Sequence, residues 1–350
     1  MRVTLIVNPV AGPRRRRRDA HQAVRALAER GADVTIGVTS GRGHAARLTR
    51  AALDAGTDLV VAWGGDGTVN EVGGVLAGST VPLGIVPAGT GNGLARDLGL
   101  ALDAERALID AAEGRTCPID AGRVEDRLFF SVAGTGLDAA VARAFDASAG
   151  HSLPGYVAAT VRTLLTYSPR EYVIRTDGEE LAVRALLVAT ANASQYGYRA
   201  TIAPSARLDD GRLNLVIVQS RGRLADLWRA RRLFDRSLFR DAGVTGAAVT
   251  EVEISSDIPI AFHVDGESLE AGRRLTIRVV PGALGVRVPR DAHPRVLTGP
   301  RFQGTSSRAH SGFDDGGRRR AGERRRDGAE DITTAGRVRR SAGTASATAR

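Results

Sequence analysis

The chain has 350 residues, 43% of them hydrophobic, enough for two buried cores, and no run of about 18 apolar residues that would make a transmembrane helix. All 49 basic residues are arginine, which excludes a Walker A lysine, a protein-kinase strand lysine and a pyridoxal Schiff base; Cys117 stands alone, which excludes an internal disulfide and suits a reducing cytoplasm. The net charge of +10 is uneven, because residues 291–350 hold 13 arginines against 7 acidic residues.

Arg2 to Val7 reads as a strand rather than a signal peptide, and it ends in the turn Asn8-Pro9-Val10-Ala11-Gly12. A helix follows, with Ala20, Ala23, Val24, Leu27 and Ala28 on one face and Gly31 as its stop. Arg14 to Arg18 open that helix against the sign of its dipole, which suits phosphates, lipid head groups or a solvated basic face. Asp33 to Thr39 is the next strand, and Thr39-Ser40-Gly41 leads into a helix over Gly43 to Ala55.

Asp58 to Trp63 is a short apolar run suited to a buried strand, and Val69, Val72, Val75 and Leu76 recur at helical spacing. The turn between them, Gly64-Gly65-Asp66-Gly67-Thr68, is almost free of side chains, so backbone N–H groups can approach an anion at a helix start. Asp66 repels phosphate unless a divalent cation or a proton lies between them, which points to Mg²⁺-assisted phosphoryl transfer. The plainer alternative is a strand–helix turn with Asp66 as its N-cap. Val81 to Val86 is a fourth strand, closing in Pro87-Ala88-Gly89-Thr90-Gly91-Asn92-Gly93, and helices from Leu94 and over Ala104 to Glu113 follow. Strands alternating with helices predict a parallel sheet whose carboxyl ends bind the ligand.

After Cys117 the pattern changes. Leu128 to Ala133, Tyr172 to Thr176, Ala182 to Thr190, Leu213 to Gln219, Val249 to Ile254, Ile260 to Val264 and Leu275 to Val280 read as strands. Helical stretches over Tyr156 to Tyr167 and Leu224 to Phe239 interrupt them. This predicts an antiparallel sandwich or barrel, with a boundary near Asp120 and a cleft between two domains, 1–120 and 121–290. Residues 291–350, rich in Gly, Arg and Ser without periodicity, are expected to be disordered. That basic tail could meet nucleic acid or an anionic membrane, or have no partner. Asp209-Asp210-Gly211 suits a hairpin turn or a cation site. Asp265-Gly266-Glu267 could carry a carboxylate into the cleft, but Asp177-Gly178-Glu179 is a second such triplet, and spacing does not choose between them. Asn192 suits a turn or cap, and the six histidines have no metal-ligand spacing.

NPVAG at Asn8, VTSGRGHA at Val38, GGDGTVNEV at Gly64, PAGTGNGLARDLG at Pro87, the stretch from Pro154 to Tyr167, IAPSARLDDGRLNLVIV at Ile202 and HVDGE at His263 occur in this order. Together they resemble the bacterial diacylglycerol kinase and sphingosine kinase-like lipid kinases. The resemblance implies an α/β nucleotide domain like that of phosphofructokinase or NAD kinase, then a β-sandwich lipid domain whose last strand returns to the first. It implies an ATP site lined by Asn8, Pro9, Val10, Ala11, Gly12, Thr39, Gly64, Gly65, Asp66, Gly67, Thr68, Val69, Asn70 and Thr90. Asp66 would act through a catalytic Mg²⁺, and Asp210 would hold a structural Mg²⁺ with the carbonyls of Arg207 and Arg212. Glu267 would be the general base on the lipid hydroxyl, which selects the second triplet. Gly93 stands where many relatives carry Asp, and Tyr198 where a glycine is usual. The implied activity is phosphorylation of a membrane lipid, diacylglycerol first, with a sphingoid base or phosphatidylglycerol as alternatives. An NAD kinase and a non-enzymatic nucleotide-binding regulator are the rival functions. The enzyme would work in the cytoplasm as a peripheral protein at the inner membrane face, with a homodimer possible, on an anionic surface rather than on nucleic acid.

Overall fold

The computed structural model describes residues 1–12, 24–146, 153–197 and 200–292. The Arg14 to Arg18 run, Tyr198 and the tail from position 293 lie outside the described residues. The first lobe alternates strand and helix: β1 (Arg2–Val7), α1 (helical over 24–29), β2 (Asp33–Val38), α2 (His44–Asp54), β3 (Leu59–Gly64), α3 (Asp66–Leu76), β4 (Leu83–Pro87), α4 (Gly93–Asp97) and α5 (Ala104–Glu113). Its strands lie in the order β4-β3-β1-β2, all parallel. Period-two alternation sends Val60 and Ala62 to the face under α2 and α3, and Leu59, Val61 and Trp63 to the face under α1 and α5. Both faces are therefore apolar and covered, as a parallel sheet requires.

The second lobe begins with β5 (Arg115–Val124), β6 (Arg127–Phe129), β7 (Val132–Gly136), α6 (Leu137–Asp146) and α7 (Leu153–Thr166). It continues with β8 (Arg170–Thr176), β9 (Glu179–Ala191), the small pair β10 (Gln195–Gly197) and β11 (Ala200–Thr201), and β12 (Leu213–Gln219). It ends with α8 (Arg223–Ala230), β13 (Val244–Val249), β14 (Glu251–Ser255), β15 (Ala261–Val264), β16 (Glu267–Glu270) and β17 (Arg274–Val288). These strands pair antiparallel around an apolar interior that includes Phe129, Tyr172, Val188, Leu215, Ile254 and Ile277. β17 belongs to both lobes: Glu251 to Ser255 pair with its first half, and Val286 lies parallel to Leu83 of β4. The register shift between Val280 and Leu284, with Gly282 at φ 57°, lets one strand serve two layers.

Four expectations need correction. Leu128 to Ala133 is two strands, because the amides of Phe130, Ser131 and Val132 turn to the Asp265 carboxylate instead of a neighbouring strand. Val249 to Ile254 is split at Thr250, where the chain passes from pairing with β12 to pairing with β17. The helix over Leu224 to Phe239 stops at Ala230 and gives way to two single 3-10 turns, Arg231–Leu233 and Leu238–Arg240. Asp209-Asp210-Gly211 is not a hairpin: it joins β11 to β12, which pair with different strands.

Candidate active site

The carboxyl ends of the four parallel strands form a rim built by backbone contact. The amide of Asn8 donates to the Trp63 carbonyl, its Nδ2 donates to Thr68 Oγ1 at 3.0 Å, and its Oδ1 accepts from the Val10 amide. The Thr39 amide donates to the Val7 carbonyl, which brings β2 to the same edge. The Gly64 carbonyl accepts from the amides of Ala88 and Gly89, and a Cβ on Gly89 would stand 2.6 Å from the Gly65 Cα. These two turns are thus packed glycine on glycine, and neither position admits a side chain without displacing the other. Gly67 faces open space and Thr90 is exposed on the same rim. The side-chain amide of Asn70, one of the expected ATP contacts, reaches the second lobe: Nδ2 donates to the Leu128 carbonyl and, at 2.7 Å, to Asp265 Oδ2.

Asp66 opens α3 without capping it. Burial and then the nearby charge of Asp265 push its carboxyl up to about 6, against the amides of Gly93, Leu94 and Asn92, which favour the ionised form. The Gly93 amide thus supplies a donor to Asp66. Because the folded pKa lies above that of the free side chain, native protein holds more protons than unfolded chain between about pH 4 and 6. Stability contributed by this group therefore falls as pH rises through that window, by roughly 2–3 kcal/mol. Urea unfolding of Asp66→Asn should lack this fall; a parallel pH profile in wild type and variant would contradict it.

The hairpin between β15 and β16 faces this rim. Asp265 and Gly266 form its turn at φ 47° and 89°, values that suit Asp-Gly. The Asp265 carboxylate is partly buried and accepts four hydrogen bonds, from Asn70 Nδ2, Phe130 N, Ser131 N and Val132 N, at 2.7 to 2.9 Å. Burial still pushes its pKa up. Glu267 follows as the first residue of β16, opposite Val264, with its side chain 41% exposed and an ion pair to Arg127 at 3.5 Å. Arg127 belongs to β6, which packs on α3, the helix that Asp66 opens. The other triplet forms the same turn, Asp177 and Gly178 at φ 46° and 85°, but its side chains lie exposed on the far hairpin between β8 and β9.

The third candidate region, Arg207 to Arg212, is fastened by Asp120. Asp120 is buried, its amide donates to the Leu208 carbonyl, and its two oxygens accept from the amides of Gly211 and Gly282. Asp210 accepts from the Arg212 amide at 3.1 Å, and desolvation and the charge of Asp120 raise its pKa. Arg207 pairs through its side chain with Asp209 at 3.4 Å. Among the described residues no group of three or more His, Cys, Asp or Glu could hold a metal ion.

Several organising residues escaped sequence reasoning. Asp97 on α4 accepts from Ser194 N, Ser194 Oγ and Gln195 Nε2, so it is a second clasp between the lobes. Asn192, expected as a turn residue, is buried and donates to the carbonyls of Asp120 and Phe130. Buried His263 meets Asp138 at 3.2 Å, and Tyr196 donates to the same Asp138 oxygen. Glu71 accepts from the amides of Gly43, Ala45 and Ala46 and so caps α2 from α3. Its change to Ala should cost about 2 kcal/mol in urea unfolding, through three orphaned amides; a loss below half that would mean water replaces it. The only sequence sign of Asp97 and Glu71 was membership of the glycine-rich strings.

Comparison with known proteins agrees with this fold. Residues 2–124 match the diacylglycerol kinase catalytic domain, and residues 131–288 match the YegS C-terminal NAD kinase beta sandwich-like domain. A diacylglycerol kinase of Mycobacterium tuberculosis is 36% identical over 305 residues, covering 83% of this chain and 96% of that protein. A Chromohalobacter salexigens protein named as a YegS-like lipid kinase is 33% identical over 280 residues, covering 77% and 89%. The solved structure of a diacylglycerol kinase from Bacillus anthracis shares the fold, with a TM-score of 0.65 at 23% identity over 83% of this chain and 98% of that one. With both lobes matched and the glycine rim facing an acidic hairpin, the chain belongs to the diacylglycerol kinase and YegS-like family of lipid kinases.

Proposed function

We propose that this kinase transfers the γ-phosphoryl group of ATP to the hydroxyl of a membrane lipid, with diacylglycerol as the first substrate and phosphatidic acid as product. The observation that carries the reading is the bond from Asn70 to Asp265, which joins the helix of the glycine turn to the hairpin of Glu267. Phosphate and acceptor hydroxyl would therefore meet in one cleft. ATP would lie on the rim formed by Asn8 to Gly12, Thr39, Gly64 to Val69 and Thr90, its phosphates against the open backbone at Gly67. Glu267 would take the proton from the lipid hydroxyl as oxygen attacks phosphorus and ADP leaves. A base so placed contributes roughly 10²–10⁴-fold; most of the remaining acceleration comes from orientation.

The residues fit Mg²⁺, which favours oxygen donors and is held by one or two carboxylates plus substrate phosphates. Burial and then the charge of Asp265 raise the pKa of Asp66, and the neighbouring Asn92 Oδ1 is a buried oxygen with no hydrogen-bond partner. Asp66 with Asn92 would hold the ion, which when bound neutralises charge on the phosphates. Asp210, with the carbonyls of Arg207 and Arg212, would hold a second, structural Mg²⁺. Among the described residues no helix is long and apolar enough to cross a membrane, so the enzyme would reach its lipid as a peripheral protein at the inner face.

The test is a competition among acceptors. Labelled ATP and Mg²⁺ are supplied with diacylglycerol, phosphatidylglycerol, a sphingoid base, a ceramide and, separately, NAD. Diacylglycerol should carry most of the label. Preferential labelling of another lipid would change the substrate, and robust NADP formation would overturn the lipid reading.

A further inference from the structure

An ordinary surface helix turns its apolar side chains inward and its charges to water. α8 does the reverse. Its inward face carries Asp226 and Arg229, both buried. Arg229 donates at 2.6 Å to Asp226 Oδ1 and to the Gln219 carbonyl, and pairs with Asp241 at 3.3 Å. Asp226 also accepts from Ser220 Oγ and the Arg221 amide. This network locks the helix to the body of the second lobe by its polar side, leaving the apolar side outward. Leu224 is 80% exposed and Trp228 67% exposed, one turn apart, and Phe234 just beyond is 57% exposed. The neighbouring α7, which packs on α8, adds exposed Val157 and Leu165, two turns apart on one side.

The apolar ridge is ringed by positive charge. Arg221 to Arg240 contain seven arginines and two aspartates, a net of +5. Arg223, Arg231, Arg236 and Arg240 are exposed, and the Arg231 guanidinium lies 3.9 Å from the centre of the Trp228 ring. Leu, Trp and Phe on an outward face, flanked by arginine, is the composition of a helix that lies in the head-group region of a bilayer. A second copy of the chain is a poor occupant, because a symmetric contact would set arginine against arginine. α7 also packs on α6, which in turn packs on the β15–β16 hairpin.

We infer that the α8 ridge, centred on Leu224, Trp228 and Phe234, is the surface by which this protein docks on anionic membranes. The inference builds on the lipid-kinase reading, but it concerns binding alone and is tested without substrate. The chain has two tryptophans, and Trp63 is buried in the first lobe, so a change in exposed-tryptophan emission reports Trp228. The full chain is titrated, without nucleotide or diacylglycerol, with phosphatidylcholine vesicles containing about one-third phosphatidylserine, an anionic lipid outside the acceptor panel. Emission should shift to the blue and saturate. Leu224→Ser with Phe234→Ser should weaken vesicle binding by about tenfold or more, as loss of buried apolar area at the interface requires. Arg223→Glu with Arg231→Glu should weaken it and flatten its salt dependence.

Binding that leaves the emission unmoved, or equal binding by the Leu224→Ser/Phe234→Ser variant, would overturn the inference. So would the absence of vesicle binding together with a dimer that the same variant abolishes. Phosphorylation of diacylglycerol in detergent micelles is measured beside it. Absence of vesicle binding by the unaltered chain with micelle activity intact counts against the docking surface only, and intact docking without phosphotransfer counts against the kinase reading only.

Discussion

Changing Glu267 to Gln should lower kcat by about 10²–10⁴-fold while leaving ATP affinity and the melting temperature close to wild type. The side chain is 41% exposed and its one ion pair, to Arg127, is half-exposed as well, so little folding energy depends on it. Gln keeps the size and hydrogen-bonding reach of the side chain but cannot accept a proton at neutral pH. The loss should therefore fall on the chemical step and not on binding. A variant that keeps most of its kcat would remove Glu267 as the base, and one that melts much earlier would make it structural.

The second large effect concerns its neighbour. Asp265→Asn should destabilise the protein by roughly 2–4 kcal/mol, because one amide oxygen cannot serve four donors and the new NH₂ group faces N–H groups. Asp177→Asn is the matched control: the same left-handed turn, exposed, with Asn tolerated at that φ, so its change should stay within about 0.5 kcal/mol. Removing the Asp265 charge should also lower the pKa of Asp66, since that charge is the second cause of its rise. Urea unfolding measures the first effect, and carboxyl titration by NMR the second. Equal losses at the two hairpins would mean that Asp265 is a turn residue and not the pin between lobes.

This pair also marks how far the sequence could be read. Asp265-Gly266-Glu267 and Asp177-Gly178-Glu179 are identical as strings and as turns. What separates them is the trio of amides at 130–132 and the Asn70 side chain, partners 133 or more positions away in the chain. Only resemblance to a family could choose between them beforehand. The same trio explains why Leu128 to Ala133 looked like one strand: its β propensity is real, but a distant carboxylate takes the amides. By contrast β12 was legible to the residue at Leu213–Gln219, since a buried strand between turns depends on local pattern. The rim from Asn8 to Gly93 was legible too, because close backbone approach requires glycine wherever the partner lies. α8 misled for an informative reason. Its apolar residues have helical spacing, and periodicity marks a shared face without saying which way that face points.

The most direct test of the central claim is transfer of labelled γ-phosphate from ATP to diacylglycerol in mixed micelles with Mg²⁺, wild type and Glu267→Gln side by side. Labelled phosphatidic acid should form in proportion to wild-type enzyme and nearly vanish with the variant. ATP bound without any labelled lipid, or equal rates from the two proteins, would contradict a lipid kinase that works through this cleft.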